Sequence, residues 1–187
     1  MAYGPLVQAV LDANVIYPAF LRDVLLRLAA ADLYLPYWSH RIHDEWTRNL
    51  LADRPELSPA KVSRTRAMMD VHFAGACVNG YEPFEIGLEA VAPEDRHVAA
   101  AARCVGADYI VTQNLKDFPP DALRPHGITA AHPDEFVCAL IRADAKSVQR
   151  VLASHRNGLL RPPLTASEYA AAFVHAGLPR AGAILWP

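Results

Sequence analysis

The sequence predicts an α/β fold, with a parallel sheet covered by helices and a short helical appendage at the C-terminal end. Three observations carry this. Short apolar runs alternate with stretches of helical period through most of the chain. The first run, LVQAVLD, is apolar almost without interruption. Of the 187 residues, 52% are hydrophobic. Strands separated by helices return to one sheet in parallel, and a parallel strand buried on both faces shows no polar alternation. This apolar content suffices for a substantial core and excludes a disordered chain.

Leu6–Asp12 reads as the first strand. A helix follows over Arg22–Ala31, with Leu21, Leu25 and Leu28 on one face. Leu33–Tyr37 reads as a short extended link. Ser39 is a favourable N-cap for a helix over Ser39–Ala52, which Pro55 breaks. Ser58 caps a third helix that runs through about His72. Ala76–Asn79 is a second strand, followed by a loop punctuated with Gly and Pro as far as Pro93. Pro93-Glu94-Asp95 opens a further helix that ends near Gly106, a residue suited to the position just past a helix.

Tyr109–Thr112 is the third strand, and Gly127–Ala130 a weaker fourth beyond Pro119-Pro120. Pro133–Ile141 starts a helix, which Ser147–His155 continues or follows with another. Arg161-Pro162-Pro163 reads as a hinge, and Thr165-Ala166-Ser167-Glu168 as a capping box before a short amphipathic helix. The organisation is thus an α/β unit over residues 1–143 and a helical extension over residues 144–187.

No apolar run reaches the roughly 18 residues of a membrane span. The N-terminal MAYGPLVQAVLD has neither a basic region nor a cleavage pattern, so a cytoplasmic protein is expected. Three cysteines, Cys77, Cys104 and Cys138, are odd in number and widely spaced, as free thiols in a reducing compartment would be. The net charge of −2 is unevenly placed. Residues 1–144 carry 13 Lys/Arg against 19 Asp/Glu, and residues 145–187 carry 5 against 1. A second basic concentration, including Arg41, Arg48, Arg64 and Arg66, surrounds Glu45. Basic flanks around an acidic centre suit a phosphate backbone, although solvated helix faces give the same counts.

Four acids stand where carboxylates are poor structural choices: Asp12 in LDANV, Glu45 in RIHDEW, Asp95 in PEDRHV and Asp117 in VTQNLKDF. Asp12 closes an apolar strand, and Thr112-Gln113-Asn114 follows another, so both map to the carboxyl edge of the sheet where ligands collect. Asp12 could equally cap the next helix. Glu45 lies at the margin of the stripe set by Ile42, Trp46 and Leu50, or points outward as a solvated charge. Asp95 shares a face with Val98, Ala99 and Ala102, and could also serve as a cap. His97 falls on the far side, which predicts a surface position.

Carboxylates that converge repel one another, and a divalent cation relieves the repulsion. Hard oxygen donors suit Mg²⁺ or Mn²⁺, while the Cys and His spacing lacks the pattern of tetrahedral zinc. Such a cation goes with phosphodiester hydrolysis.

The order of strand-end acid, helix acid, helix-start acid and T-x-N-x-x-D-F resembles the PIN-domain metal-dependent nucleases. The closer resemblance is to VapC-type toxins of toxin–antitoxin pairs. It rests on LDANVIYPAFLRDVLLRLA, YWSHRIHDEWTRNLL, PEDRHVAAAARCVGADYIVTQNLKDFP and HPDEF, and the RPPLTASEYAAAF tail looks like the helical extension of one branch. The resemblance implies a PIN-like three-layer α/β/α sandwich with a parallel sheet of about five strands plus C-terminal helices. It also implies a metal-dependent endoribonuclease with Asp12, Glu45, Asp95 and Asp117 as catalytic, metal-holding residues. Asn14, Thr112 and Asn114 would be accessory polar groups. Ala13 departs from the Thr or Ser common after the first aspartate, which removes a hydroxyl but no ligand carboxylate.

The implied substrate is a structured RNA, such as a tRNA or rRNA loop, with Arg41, Arg48, Arg64 and Arg66 as backbone contacts. The implied partners are a cognate antitoxin and a second copy of the chain in a homodimer, with no membrane partner. A catalytically silent PIN-like binding module and a PIN nuclease of RNA or DNA processing are the alternatives. A haloacid-dehalogenase-type phosphatase would need a second Asp where Asn14 stands, and a phosphoacceptor receiver domain an acidic pair before the first helix; neither is present.

Overall fold

A computed structural model of the chain describes residues 6–159 and 163–186. Arg161 and Pro162 of the expected hinge lie outside these residues. Five short strands form one all-parallel sheet: β1 (Gln8–Leu11), β2 (Leu35–Ser39), β3 (Cys77–Val78), β4 (Tyr109–Val111) and β5 (Thr129–Ala131), in the order β3-β2-β1-β4-β5. The expected α/β class and the sheet of about five strands are borne out. Val10 pairs with Tyr37 on one side and Ile110 on the other, so β1 is the central strand. Successive strands step outward from β1 in opposite directions, which places the reversal of strand order between β1 and β4. Ligands settle at that reversal, beyond the carboxyl ends of the strands.

The helices are α1 (Ala13–Ile16), α2 (Ala19–Ala30), α3 (His40–Asp53), α4 (Pro59–His72), α5 (Arg96–Val105), α6 (Pro120–Leu123), α7 (Pro133–Gly158), α8 (Ala166–His175) and α9 (Pro179–Leu185). Ser39 caps α3 as its sequence predicts, its hydroxyl accepting from the Ile42 N–H at 3.2 Å. Gly106 takes the left-handed conformation, φ 65°, that ends α5. Leu33–Tyr37, expected as a link, instead leads into the strand β2. Pro36 lacks a donor and the segment shows no alternation, so its own sequence hides a strand that its two neighbours pair.

α7 carries a break at Asp144, φ −151° and ψ 81°, which decides between the continued and the second helix that the sequence left open. The Asp144 carboxylate restarts the second half by accepting from the Ser147 N–H at 3.0 Å.

The extension is pinned to the sheet domain at three points. Phe20 of α2 packs edge-to-face against Phe173 and Tyr169 of α8, at 5.7 and 5.8 Å between ring centroids. The buried Asp134 at the start of α7 accepts from the Ala181 and Arg180 N–H groups of α9, at 2.9 and 3.1 Å. Between them, His155 Nδ1 meets the Tyr169 hydroxyl at 2.7 Å, and its Nε2 stands 2.9 Å from Asp23 Oδ2, off hydrogen-bond alignment. Burial alone would raise the Asp23 carboxyl, but His155 and Arg27 outweigh it and hold it below its ordinary range. The capping box at Thr165 and Glu168 forms with both reciprocal hydrogen bonds present.

All three cysteines are free, with Cys138 buried. None of the described helices is long and apolar enough to cross a membrane.

Candidate active site

Asp12 ends β1 with its carboxylate almost fully buried, at 2% exposure. An isolated buried carboxylate is unfavourable, and three hydrogen bonds answer it. Oδ1 accepts from the Ala13 N–H at 2.6 Å. Oδ2 accepts from Asn14 Nδ2 at 2.6 Å and from the Thr112 hydroxyl at 2.7 Å. The capping reading of Asp12 therefore holds, and it is only part of what the group does. Burial pushes this carboxyl above its ordinary range, the Thr112 hydroxyl pulls it back, and the charge of Glu45 raises it again.

Thr112, at the end of β4, is also buried and has every hydrogen-bonding position used. It donates to Asp12 and accepts from Asn14 Nδ2 and the Asn114 N–H, both at 3.0 Å. Asn14 Oδ1 accepts from the Gln113 N–H at 2.9 Å. Asn14 and Thr112 thus hold Asp12 in place and tie β1 to β4. Asn114 enters this network through its backbone.

Glu45 lies near enough to act on the Asp12 carboxyl, and Asp12, Asp117 and Glu45 all act on that of Asp95. Asp95 is the N-cap residue of α5, yet its side chain caps no N–H, so the capping explanation does not account for it. Burial, followed by the charges of Asp12, Asp117, Glu45 and Glu94, drives its carboxyl up to about 7. Asp117 sits in a one-turn 3-10 segment, Leu115–Asp117, whose carbonyl accepts from the Ala92 N–H at 3.4 Å in the loop leading to α5. Glu45 projects from α3 with its side chain 32% exposed. Glu45 and Asp95 line a cleft of about 380 Å³ together with Arg41, Asp44, Arg48, Glu94 and His97.

His97 corrects the expectation of a surface position. It is 1% exposed, and its Nε2 lies 3.6 Å from Glu45 Oε2, while Nδ1 is buried with no partner among the described residues. The wheel misled because α5 has no solvent face here: His97 through Ala102 are all buried. The sheet covers one side of the helix and the turn at Glu82–Glu85 another. The uninterrupted run VAAAA after His97 was the available signal.

Of the arginines, Arg41 and Arg48 lie on α3 beside the cleft, and Arg41 Nη1 stands 4.0 Å from Glu85 Oε1. Arg66 pairs with Asp44 and approaches His40 Nδ1 at 3.1 Å. Arg64 is exposed on α4.

The donor set consists of hard carboxylate oxygens, and burial followed by the charges of its neighbours raises the Asp95 carboxyl, which fits a divalent cation and no soft metal. Among the described residues, no three His, Cys, Asp or Glu side chains form a ready metal cage. A larger groove, about 1110 Å³, lies elsewhere, between α2 and α4, and is mainly apolar.

Residues 133–185 match the family described as the VapC50 C-terminal domain. Over 72 residues the chain is 42% identical to "Putative ribonuclease VapC50" of Mycobacterium tuberculosis, which covers 38% of this chain and 43% of that protein. The VapC resemblance is borne out. The chain is similar to VapC-type PIN ribonucleases with a C-terminal extension, and spans less than half the length of the VapC50 relative it matches. The VapC50 C-terminal match begins at the start of α7, so it takes in Asp134, His155, Tyr169 and Phe173, the groups that pin the tail. No solved structure matches the chain.

Proposed function

We propose that this protein is a VapC-type toxin, a metal-dependent endoribonuclease that cleaves a structured cellular RNA and is neutralised by a small antitoxin. The observation that carries the reading is the Asp95 carboxyl, which burial and then the charges of Asp12, Asp117, Glu45 and Glu94 raise to about 7, together with the buried Asp12 at the carboxyl end of the central strand. A fold has no structural use for that concentration of charge, which a divalent cation and a phosphate ester would offset together.

In this reading the four acids hold Mg²⁺ or Mn²⁺. A cation held there would supply charge to offset the phosphoryl oxygens and would make a nearby water more acidic. The chain's own residues do the rest. Thr112, Asn14 and the Ala13 N–H fix Asp12 in one orientation before any ligand arrives. Arg41 and Arg48 flank the cleft on the same helix as Glu45 and suit the phosphates on either side of the cut. An unpaired tRNA or rRNA loop fits a shallow cleft better than a duplex, because its bases can be splayed out. The antitoxin would cover the acids, and a homodimer and a cytoplasmic location belong to the same proposal.

The test is cleavage of total bacterial RNA by antitoxin-free protein with Mg²⁺, Mn²⁺ or EDTA, beside Asp12→Asn. Discrete fragments that need metal and disappear in the variant are expected. A folded protein that cuts nothing under any metal would favour a silent binding module instead.

A further inference from the structure

We propose that His97 is a positioning residue that holds Glu45 into the acidic cleft, and so sets the affinity of the site for its cation; this rests on the nuclease reading above. Glu45 is attached to α3 by a flexible side chain, is one-third exposed, and faces the negative charges of Asp12 and Asp95. Left alone, it would swing toward solvent, where both entropy and repulsion favour it. The counterforce comes from α5. His97 is 1% exposed and places Nε2 3.6 Å from Glu45 Oε2, a small side-chain rotation outside hydrogen-bond range.

The tautomer follows from the surroundings. Nδ1 is buried with no acceptor, so a hydrogen placed there would be an unsatisfied donor in an apolar setting. The hydrogen therefore sits on Nε2 and points at Glu45. A histidine with one dry, unpartnered nitrogen is a poor choice for packing alone, since a leucine would fill the space without that penalty. Its retained polar end faces a carboxylate in the cleft. Because His97 lies two residues from Asp95 on the same helix, it couples the placement of Glu45 on α3 to that of Asp95.

The test compares His97→Leu and His97→Gln in the full chain. The readouts are Mn²⁺ titration followed by electron paramagnetic resonance, thermal midpoint, and initial rate on total bacterial RNA. A positioning role predicts that His97→Leu keeps or raises the metal-free midpoint while weakening Mn²⁺ binding about 10- to 100-fold, with a parallel loss of rate. His97→Gln, whose amide nitrogen reaches the place of Nε2, restores Mn²⁺ affinity to within about threefold of the parent. Glu45→Gln and His97→Leu combined should lose no more Mn²⁺ affinity than Glu45→Gln alone.

Wild-type Mn²⁺ affinity in His97→Leu would overturn the assignment. So would a loss that His97→Gln fails to restore, since that would make the role one of packing. The two levels are separable: a folded parent that cuts no RNA under any metal would fail the nuclease reading, whereas the Mn²⁺ titration continues to judge the His97–Glu45 relation by itself.

Discussion

The Thr112 hydroxyl donates to Asp12 Oδ2 at 2.7 Å, joining residues 100 positions apart at the ends of two neighbouring strands. The same oxygen accepts from Asn14 Nδ2 and the Asn114 N–H, so it organises both the carboxylate and the loop that leads to Asp117. Thr112→Val preserves shape and removes all three interactions. Leaving buried polar groups unpaired is expected to lower unfolding stability by about 1–3 kcal/mol in urea titrations. Mn²⁺ affinity should fall about 10- to 100-fold, because the supporting hydrogen bonds of a ligating carboxylate fix its orientation. Unchanged Mn²⁺ binding in a folded variant would show that Asp12 needs no such support.

Asp95 gives a pH dependence whose sign is opposite to that of most carboxylates. Its folded value, near 7, lies above its ordinary value of 3.8, so the folded state holds the proton more tightly than the unfolded chain. Metal-free stability should therefore fall as pH rises from about 4 to 7 and level off above that range. Asp95→Asn should flatten this limb and raise the midpoint at pH 8 without metal. Adding Mn²⁺ should stabilise the wild type, with little effect on the variant. Thermal melts from pH 4 to 8, with and without Mn²⁺, measure all of this. A wild-type midpoint rising steadily with pH in EDTA would show that the acids do not repel as described.

The tail makes an independent prediction. Tyr169→Phe leaves His155 Nδ1 buried and unpaired, and is expected to lose about 1–3 kcal/mol. Phe173→Ala empties the ring cluster around Phe20 and Trp186 and should lose about 3–5 kcal/mol. Asp23, held below its ordinary range, contributes stability that is complete above the ordinary carboxylate range and is lost as pH falls through its depressed value. Asp23→Asn should accordingly shallow the acid limb below about pH 4. If the tail were only loosely attached, hydrogen exchange of α8 would be fast in the wild type and unaffected by Tyr169→Phe.

The features that local chemistry determines were legible in the chain: the Ser39 cap, the Thr165–Glu168 box and the left-handed Gly106. Each depends on residues within about one helical turn. β2 was not legible as a strand because its ladder partners on β1 and β3 come from elsewhere in the chain, and Pro36 masks its pattern. α9 drew no assignment at all; its N-terminus is satisfied by Asp134, 46 positions earlier than Arg180.

The site divides in the same way. Asp12 stood out because it closes an apolar strand, and Glu45 and Asp95 because they border apolar stripes; burial and then the neighbouring acids raise the Asp95 carboxyl. His97 was misplaced, because its burial depends on α5 being enclosed by neighbours that no helical wheel contains.

The arginines beside the cleft can be separated from those that only resemble them in sequence. Arg48 shares the cleft with Glu45 and Asp95, whereas Arg64 stands exposed on α4 and Arg66 is occupied by Asp44 and His40. An exposed charge contact is worth up to about 1 kcal/mol, so Arg48→Ala should raise the KM for RNA about two- to fivefold and leave kcat nearly unchanged. Removing one phosphate contact should also reduce the slope of log KM against log salt by about 0.7. Arg64→Ala should change neither quantity. Arg66→Ala releases Asp44, a like charge at the cleft, and should weaken RNA binding without changing the salt slope. Equal salt slopes in the wild type and Arg48→Ala, measured from 50 to 300 mM KCl (about a sixfold range), would remove Arg48 from the RNA path.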